Sequence, residues 1–376
     1  MNPKLIKLIF STASIKRWNE FPRPFDFVEL DRQSHKMIIA YLLGHYEGFG
    51  KKEFEEVIKL GIAGVLYRSV LTDLKSPVYD YLRKKKAKEL DEFVLGKLEG
   101  IVDEELKYYV KLYNNTNSKP KQLLNAASHF ANLWEFDFIY NFARGSYGVE
   151  EVKRALEYEI EEFYGFEGIR ALMLKKKSYD FISLCGNLRF QKRWSNTPRV
   201  PQTSVLGHML FVAIVAFFLT KEAKRDNIYY NFFGGLFHDI IEAFTRDIIA
   251  PIKHGVEGLD KILKEYEKKL IEEKFMPMVP EVIKEIKIFI EDEFANKEVG
   301  KDGVRIVREV KKGIDGELIK VADHFGAFVE AVMSIEYGVK SPELIGAVEV
   351  LSNQYKGKKI FGVDIEEYFN KEFLNK

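Results

Sequence analysis

The sequence predicts an all-α fold written as two related helical halves, and three observations lead there. Apolar residues recur three and four apart, with Lys and Glu between them, over 53–60, 152–163, 259–275 and 317–337. Extended alternation is scarce, and Gly and Pro gather between the helical stretches at 21–24, 197–201 and 276–280. The third observation is an internal repeat: residues 61–78 lie ungapped on 235–252, so that Gly61, Asp73 and Pro77 meet Gly235, Asp247 and Pro251.

The composition suits such a fold. A chain of 376 residues has room for roughly two domains of common size. With 46% hydrophobic and 14% aromatic residues it fills substantial cores, which excludes a disordered chain. The 58 Lys and Arg against 57 Asp and Glu exclude a polycation that coats nucleic acid, so no nucleic-acid polymer is expected as partner. Cys185 stands alone, excluding a disulfide framework and a multi-thiolate zinc site, and reads as a buried structural thiol in a reducing interior. The opening residues carry too short an apolar run for a membrane span. The most apolar stretch, 209–219, also falls short of the roughly 20 residues that cross a bilayer, so it reads as a buried helix in a cytoplasmic protein.

Taken along the chain, the landmarks of the first half are Arg17-Trp18, His35, the 61–78 block and 127–131. They recur in order as Arg193-Trp194, His208, the 235–252 block and 322–326. The halves are expected to meet within 165–190, giving domains 1–175 and 176–376. The lysines at 175–177 and the basic run 83–88 read as solvated faces or linker charge.

In the second half, uncommon polar residues sit in apolar helices. Thr203 or Ser204 is placed to cap the helix that His208 enters, His238 and Asp239 follow the apolar run 232–237, and Asp323 lies within 318–332. A carboxylate buried alone costs several kcal/mol, so three such conflicts call for a shared cation. His208, His238, Asp239 and Asp323 would offer two imidazole nitrogens and two carboxylates to one divalent ion, with manganese, cobalt, iron, nickel, magnesium or zinc all open. Glu242 follows Asp239 by three residues, so a helix places it on the same side. Around Asp323, Gly326 and Ala327 are small enough to admit a neighbouring helix.

The order His208, His238-Asp239, Asp323 resembles the H…HD…D signature of the HD-domain metal-dependent phosphohydrolases, an all-helical superfamily. The stretch 236–253, preceded by Arg193-Trp194, is similar to the branch containing bacterial 5′-deoxynucleotidases. The resemblance covers about 189–340 well and the first half only as a degenerate HD-like copy. It implies that the four residues are metal ligands, that Glu242 stands by the attacking water, and that Asp247 meets the sugar hydroxyl. Arg193 would hold the phosphate, and Trp194 would shape the nucleotide pocket, although a Trp after an Arg also serves to anchor a loop. One departure is Gly207-His208-Met209, where the branch generally has Glu-His-Ser. The long Asp239 to Asp323 separation leaves room for an insertion near the substrate entry.

Carried through the repeat, His238 and Asp239 fall on Gly64 and Val65, Glu242 on Arg68, and Asp323 on Ser128, while His35 lies near the position of His208. No metal and no hydrolysis are expected there. The copy is expected to pack on the second half as an internal pseudo-dimer, with Arg68 leaving anion binding open. His254, in the loop after Pro251, reads as solvent-facing. The functional expectation is a divalent-metal-dependent phosphohydrolase acting on a small phosphorylated molecule, a nucleoside or deoxynucleoside 5′-monophosphate first. A phosphodiesterase or pyrophosphohydrolase on a signalling nucleotide, and a non-catalytic nucleotide sensor, are the alternatives.

Overall fold

A computed structural model describes residues 1–246 and 258–375 of the chain. It is helical throughout, apart from short strands, and divides into two compact units, Met1–Arg170 and Ala171–Lys376.

In the first unit the helix Glu29–Tyr46 packs against Lys51–Leu71 and Lys119–Ala143. Ser118 caps the last of these, accepting from the Lys121 amide, and Pro120 occupies its first turn, where a missing N–H costs nothing. Glu29–Tyr46 is buried almost all round, charged residues included. A helix with that pattern needs its charges answered inside the unit.

The second unit is built on three helices, Val205–Glu222, Ile228–Phe237 and Gly316–Glu336, packed on one another. Glycines set how closely they meet. A Cβ on Gly235 would lie 2.9 Å from the Ala213 backbone, and one on Gly234 would lie 2.5 Å from Ile319. A Cβ on Gly326 would lie 2.8 Å from the His208 ring, so the small residue expected beside Asp323 is what admits that imidazole. Ser204 is the residue that caps Val205–Glu222, accepting from the Gly207 amide at 2.9 Å, while Thr203 turns inward to Glu330. Asp315, fully buried, receives Arg225 at 2.8 Å, Asn227 at 3.0 Å and Asn231 at 2.9 Å. This network fixes the start of Gly316–Glu336 against Ile228–Phe237, a buried carboxylate fully met by donors.

Between Asp239 and Asp323 the described insertion holds the helix Leu259–Leu270 and a three-stranded antiparallel sheet. Lys297–Gly300 runs between Gly303–Ile306 and Gly313–Ile314, with Lys297 opposite both Ile306 and Ile314. Helical periodicity gave no sign of this sheet. Val205–Glu222 is long and apolar enough to cross a membrane, and 83% of it is buried inside the protein. The lysines at 175–177 are exposed, and Lys86 and Lys88 pair with Glu89 and Glu92 on the surface. Cys185 is buried, and burial pushes its thiol up.

Candidate metal centre

The His-Asp pair does not sit on a continuous helix. Ile228–Phe237 ends before it, and the Ile240, Glu242 and Ala243 amides bond three residues back, to Phe237, Asp239 and Ile240. Such a tightened turn has about three residues per turn, so Asp239 and Glu242 still come to the same side. One oxygen of the Glu242 carboxylate is shielded from solvent.

Four ligand atoms converge. His208 Nε2 lies 2.9 Å from an Asp323 oxygen and 4.0 Å from an Asp239 oxygen. His238 Nε2 lies 3.1 Å from the same Asp239 oxygen and 3.8 Å from the Asp323 oxygen. All four atoms fall within 4.8 Å of one another, the one such grouping of His, Cys, Asp or Glu among the described residues. An ion with bonds of about 2.1 Å holds neighbouring ligand atoms roughly 3–4 Å apart, so the donor set fits a divalent cation.

The tautomer of His238 supports the fit. Its Nδ1 lies 2.8 Å from the Gly235 carbonyl, which can only accept, so Nδ1 carries the proton and Nε2 presents its lone pair. That Nε2 is buried without a hydrogen bond and faces two carboxylates. Lone pairs aimed at one another repel unless a cation lies between them. Burial alone would lower the His238 pKa, yet Asp239 and Asp323 raise it well above the ordinary value, the mark of a pocket that attracts positive charge. Burial would likewise raise the Asp323 carboxyl, but the two imidazoles hold it well below the usual range.

Arg193 closes one side. Its Nη1 is 3.6 Å from Asp239 and its Nε 3.2 Å from Glu330. Trp194 donates its indole N–H to the same Glu330 oxygen at 2.8 Å, with φ 56°, in the left-handed region that few side chains adopt. The tryptophan therefore anchors the loop, one of its two expected roles. Asp247 and His254 lie outside the described residues.

Residue-type reasoning missed Glu330. It stands two turns beyond Asp323 on the same helix face, accepts from Trp194, Arg193 and Thr203, and lies 3.9 Å from both His208 Nδ1 and Arg199. Burial would raise its pKa, but Arg193, Arg199 and His208 bring it down to about 2. The repeat carried the signal, because Glu135 falls on Glu330 at the offset that puts Ser128 on Asp323. Glu293 was missed too, being one of three consecutive acids, Glu291-Asp292-Glu293, that read as solvated charge; burial and nearby Asp239 raise its pKa.

The first unit keeps the frame and changes the centre. Arg17 Nε and the Trp18 indole both donate to Glu135, at 3.1 and 2.9 Å, and Trp18 has φ 59°. His35, however, is not the counterpart of His208, because its ring packs 4.8 Å from Trp134. Arg32 takes that place: it follows Arg17 at the spacing of His208 from Arg193, and donates to Ser128 where His208 meets Asp323.

The family comparisons agree with the geometry. Residues 185–351 match the HD domain family. Over 141 residues the chain is 30% identical to the 5′-deoxynucleotidase YfbR of Escherichia coli O127:H6, a span of 35% of this chain and 67% of that protein. Over the same length and shares it is 29% identical to a 5′-deoxynucleotidase of Citrobacter koseri. The chain belongs to the HD-domain phosphohydrolases, near their 5′-deoxynucleotidase branch.

Proposed function

We propose that the second unit is a divalent-metal-dependent phosphomonoesterase that releases phosphate from a nucleoside or deoxynucleoside 5′-monophosphate. The observation that carries this reading is the convergence of His208, His238, Asp239 and Asp323, with Arg193 beside them. These four residues would hold the ion, which when bound makes water more acidic and offsets phosphate charge. Arg193, held by Glu330 from behind, offers its outer N–H groups to the non-bridging phosphate oxygens. Glu242, on the side of Asp239, takes the proton of the water that attacks phosphorus. The ester P–O bond breaks, and the departing oxygen keeps the bonding pair and gains a proton. The relatives' 5′-deoxynucleotidase names support the nucleotide class.

The first unit, in this reading, is a worn copy without catalysis, supported by the matching hydrogen bonds of Arg17, Trp18 and Glu135.

Phosphate release from a panel of nucleotides, with manganese, cobalt or magnesium added, tests the substrate class. Glu242→Gln is expected to lower turnover by roughly 10²–10⁴-fold while the ion stays bound. Full turnover in that variant would remove Glu242 from the chemistry.

A further inference from the structure

The centre of the first unit has changed sign. At the positions of His238, Glu242 and Asp323 stand Gly64, Arg68 and Ser128, and Arg32 replaces His208. Tyr113 fills the space beside Gly64: a Cβ there would lie 2.8 Å from its hydroxyl. Lys121 sits over the Tyr113 ring at 3.6 Å, and Lys36, buried, donates to Gln33. Five cationic side chains, Arg17, Arg32, Lys36, Arg68 and Lys121, thus gather around two carboxylates, Glu29 and Glu135.

The two carboxylates are already engaged. Glu135 accepts from Arg17 and Trp18, and Glu29 accepts from Arg17 at 2.8 Å and Gln33 at 2.6 Å. Arg17 is in turn used on all sides, its third donor going to Asn132. Arg32 and Arg68 differ. Arg32 donates to Asn132 and Ser128 and Arg68 to the Leu74 carbonyl, and beyond these each meets only the Glu29 carboxylate, which Arg17 and Gln33 already hydrogen-bond. Both approach Glu29 only at 3.6 and 3.5 Å. Arg68 keeps 21% of its side chain exposed and Arg32 11%, so a ligand can reach them. A buried surplus of positive charge is costly until an anion answers it, and two guanidinium forks beside a hydroxyl match a phosphate.

We propose that the first unit binds the phosphate group of a small phosphorylated molecule through Arg32, Arg68 and Ser128, without a metal and without hydrolysing it. This site stands independently of catalysis in the second unit.

The full chain carrying Asp323→Ala, kept in chelator, is titrated by calorimetry with inorganic phosphate and separately with deoxyadenosine 5′-monophosphate. One saturable site per chain is expected. Arg68→Gln is expected to weaken it about tenfold or more, the loss of a charge-assisted hydrogen bond. If Arg68→Gln does not fold, Arg68→Lys, which keeps the charge and loses the fork, is expected to weaken binding by a smaller factor. Equal affinity for both probes assigns the phosphate group alone, and tighter nucleotide binding assigns a nucleotide. Three results overturn the proposal: no saturable binding of either probe, binding indifferent to both Arg68 substitutions, or binding abolished by Arg193→Gln in the second unit.

Discussion

The two units hold the same hydrogen-bonded triplet around centres of opposite charge. Arg17, Trp18 and Glu135 in one, and Arg193, Trp194 and Glu330 in the other, pair through the same atoms, with both tryptophans in the left-handed region. Within that frame the second unit gathers two imidazoles and two carboxylates, and the first gathers guanidinium and ammonium groups. The difference shows that frame and ligand set are separable. Buried Glu135 and Glu330 position the Arg-Trp loop whether or not a metal-type centre lies beside it.

The sharpest test of the difference is at the ligands. Asp323→Ala removes a carboxylate bridging toward both histidines and is expected to take bound divalent ion from about one per chain to none, with turnover falling at least ~10²-fold. Ser128→Ala at the matching position is expected to leave metal content and turnover unchanged. Elemental analysis with a phosphate-release assay reads both, and an unchanged metal content in Asp323→Ala would break the four-ligand centre.

The frame itself is tested by a matched pair, Glu135→Gln and Glu330→Gln. Each takes one of two carboxylates from a buried arginine, leaving Arg17 with Glu29 and Arg193 with Asp239, and each is expected to destabilise its own unit by roughly 1–3 kcal/mol in denaturant unfolding. Only Glu330→Gln is expected to lower turnover also, by about 10–100-fold, because Arg193 and His208 lose the carboxylate that orients them. If Glu135→Gln proves silent, the triplet in the first unit is incidental rather than a frame.

How much of this was legible before any coordinates depended on what kind of signal each residue left. That His208, His238, Asp239 and Asp323 belong together could be read because polar residues in apolar helices are costly and had to be explained together. A cap at Thr203 or Ser204, and small residues at Gly326 and Ala327, followed from local rules, and the packed structure puts the cap on Ser204 and the close approach to His208 at Gly326. Arg32 was hidden by chemistry: matching His35 to His208 by residue type overlooked the even spacing from the Arg-Trp pair. Glu330 left the same signal as Asp323, an acid between Phe328-Val329 and Ala331-Val332, but it falls on no position of the H…HD…D order and so went unmarked. The small sheet at 297–314 left no trace because its strands are short, two to four residues each, and one of them is exposed throughout.

The smallest expected effect lies in the alkaline range, and it tests how far the cationic centre of the first unit is shut away from water. In the first unit, burial pushes Lys36 down to about 8, with Arg32 and Lys121 adding to the fall. Burial would raise Tyr113, but Lys121, Lys36 and Arg32 bring it down to about 8. Each group acts on the other's charge, so the first proton near pH 8 belongs to the pair. In the unfolded chain both groups stay protonated until about pH 10, so between these values the unfolded state binds more protons and stability rises with pH. Thermal unfolding is expected to show the first unit gaining ~1–3 kcal/mol from pH 8 to pH 10, a gain that Tyr113→Phe reduces, while Lys297 of the second unit, also pushed down to about 8 by burial, gives that unit a gain of the same sign from one group instead of two. A first unit whose stability does not rise over that range, or whose rise Tyr113→Phe leaves untouched, would mean that Lys36 and Tyr113 titrate as ordinary surface groups, and that the cationic centre is open to water.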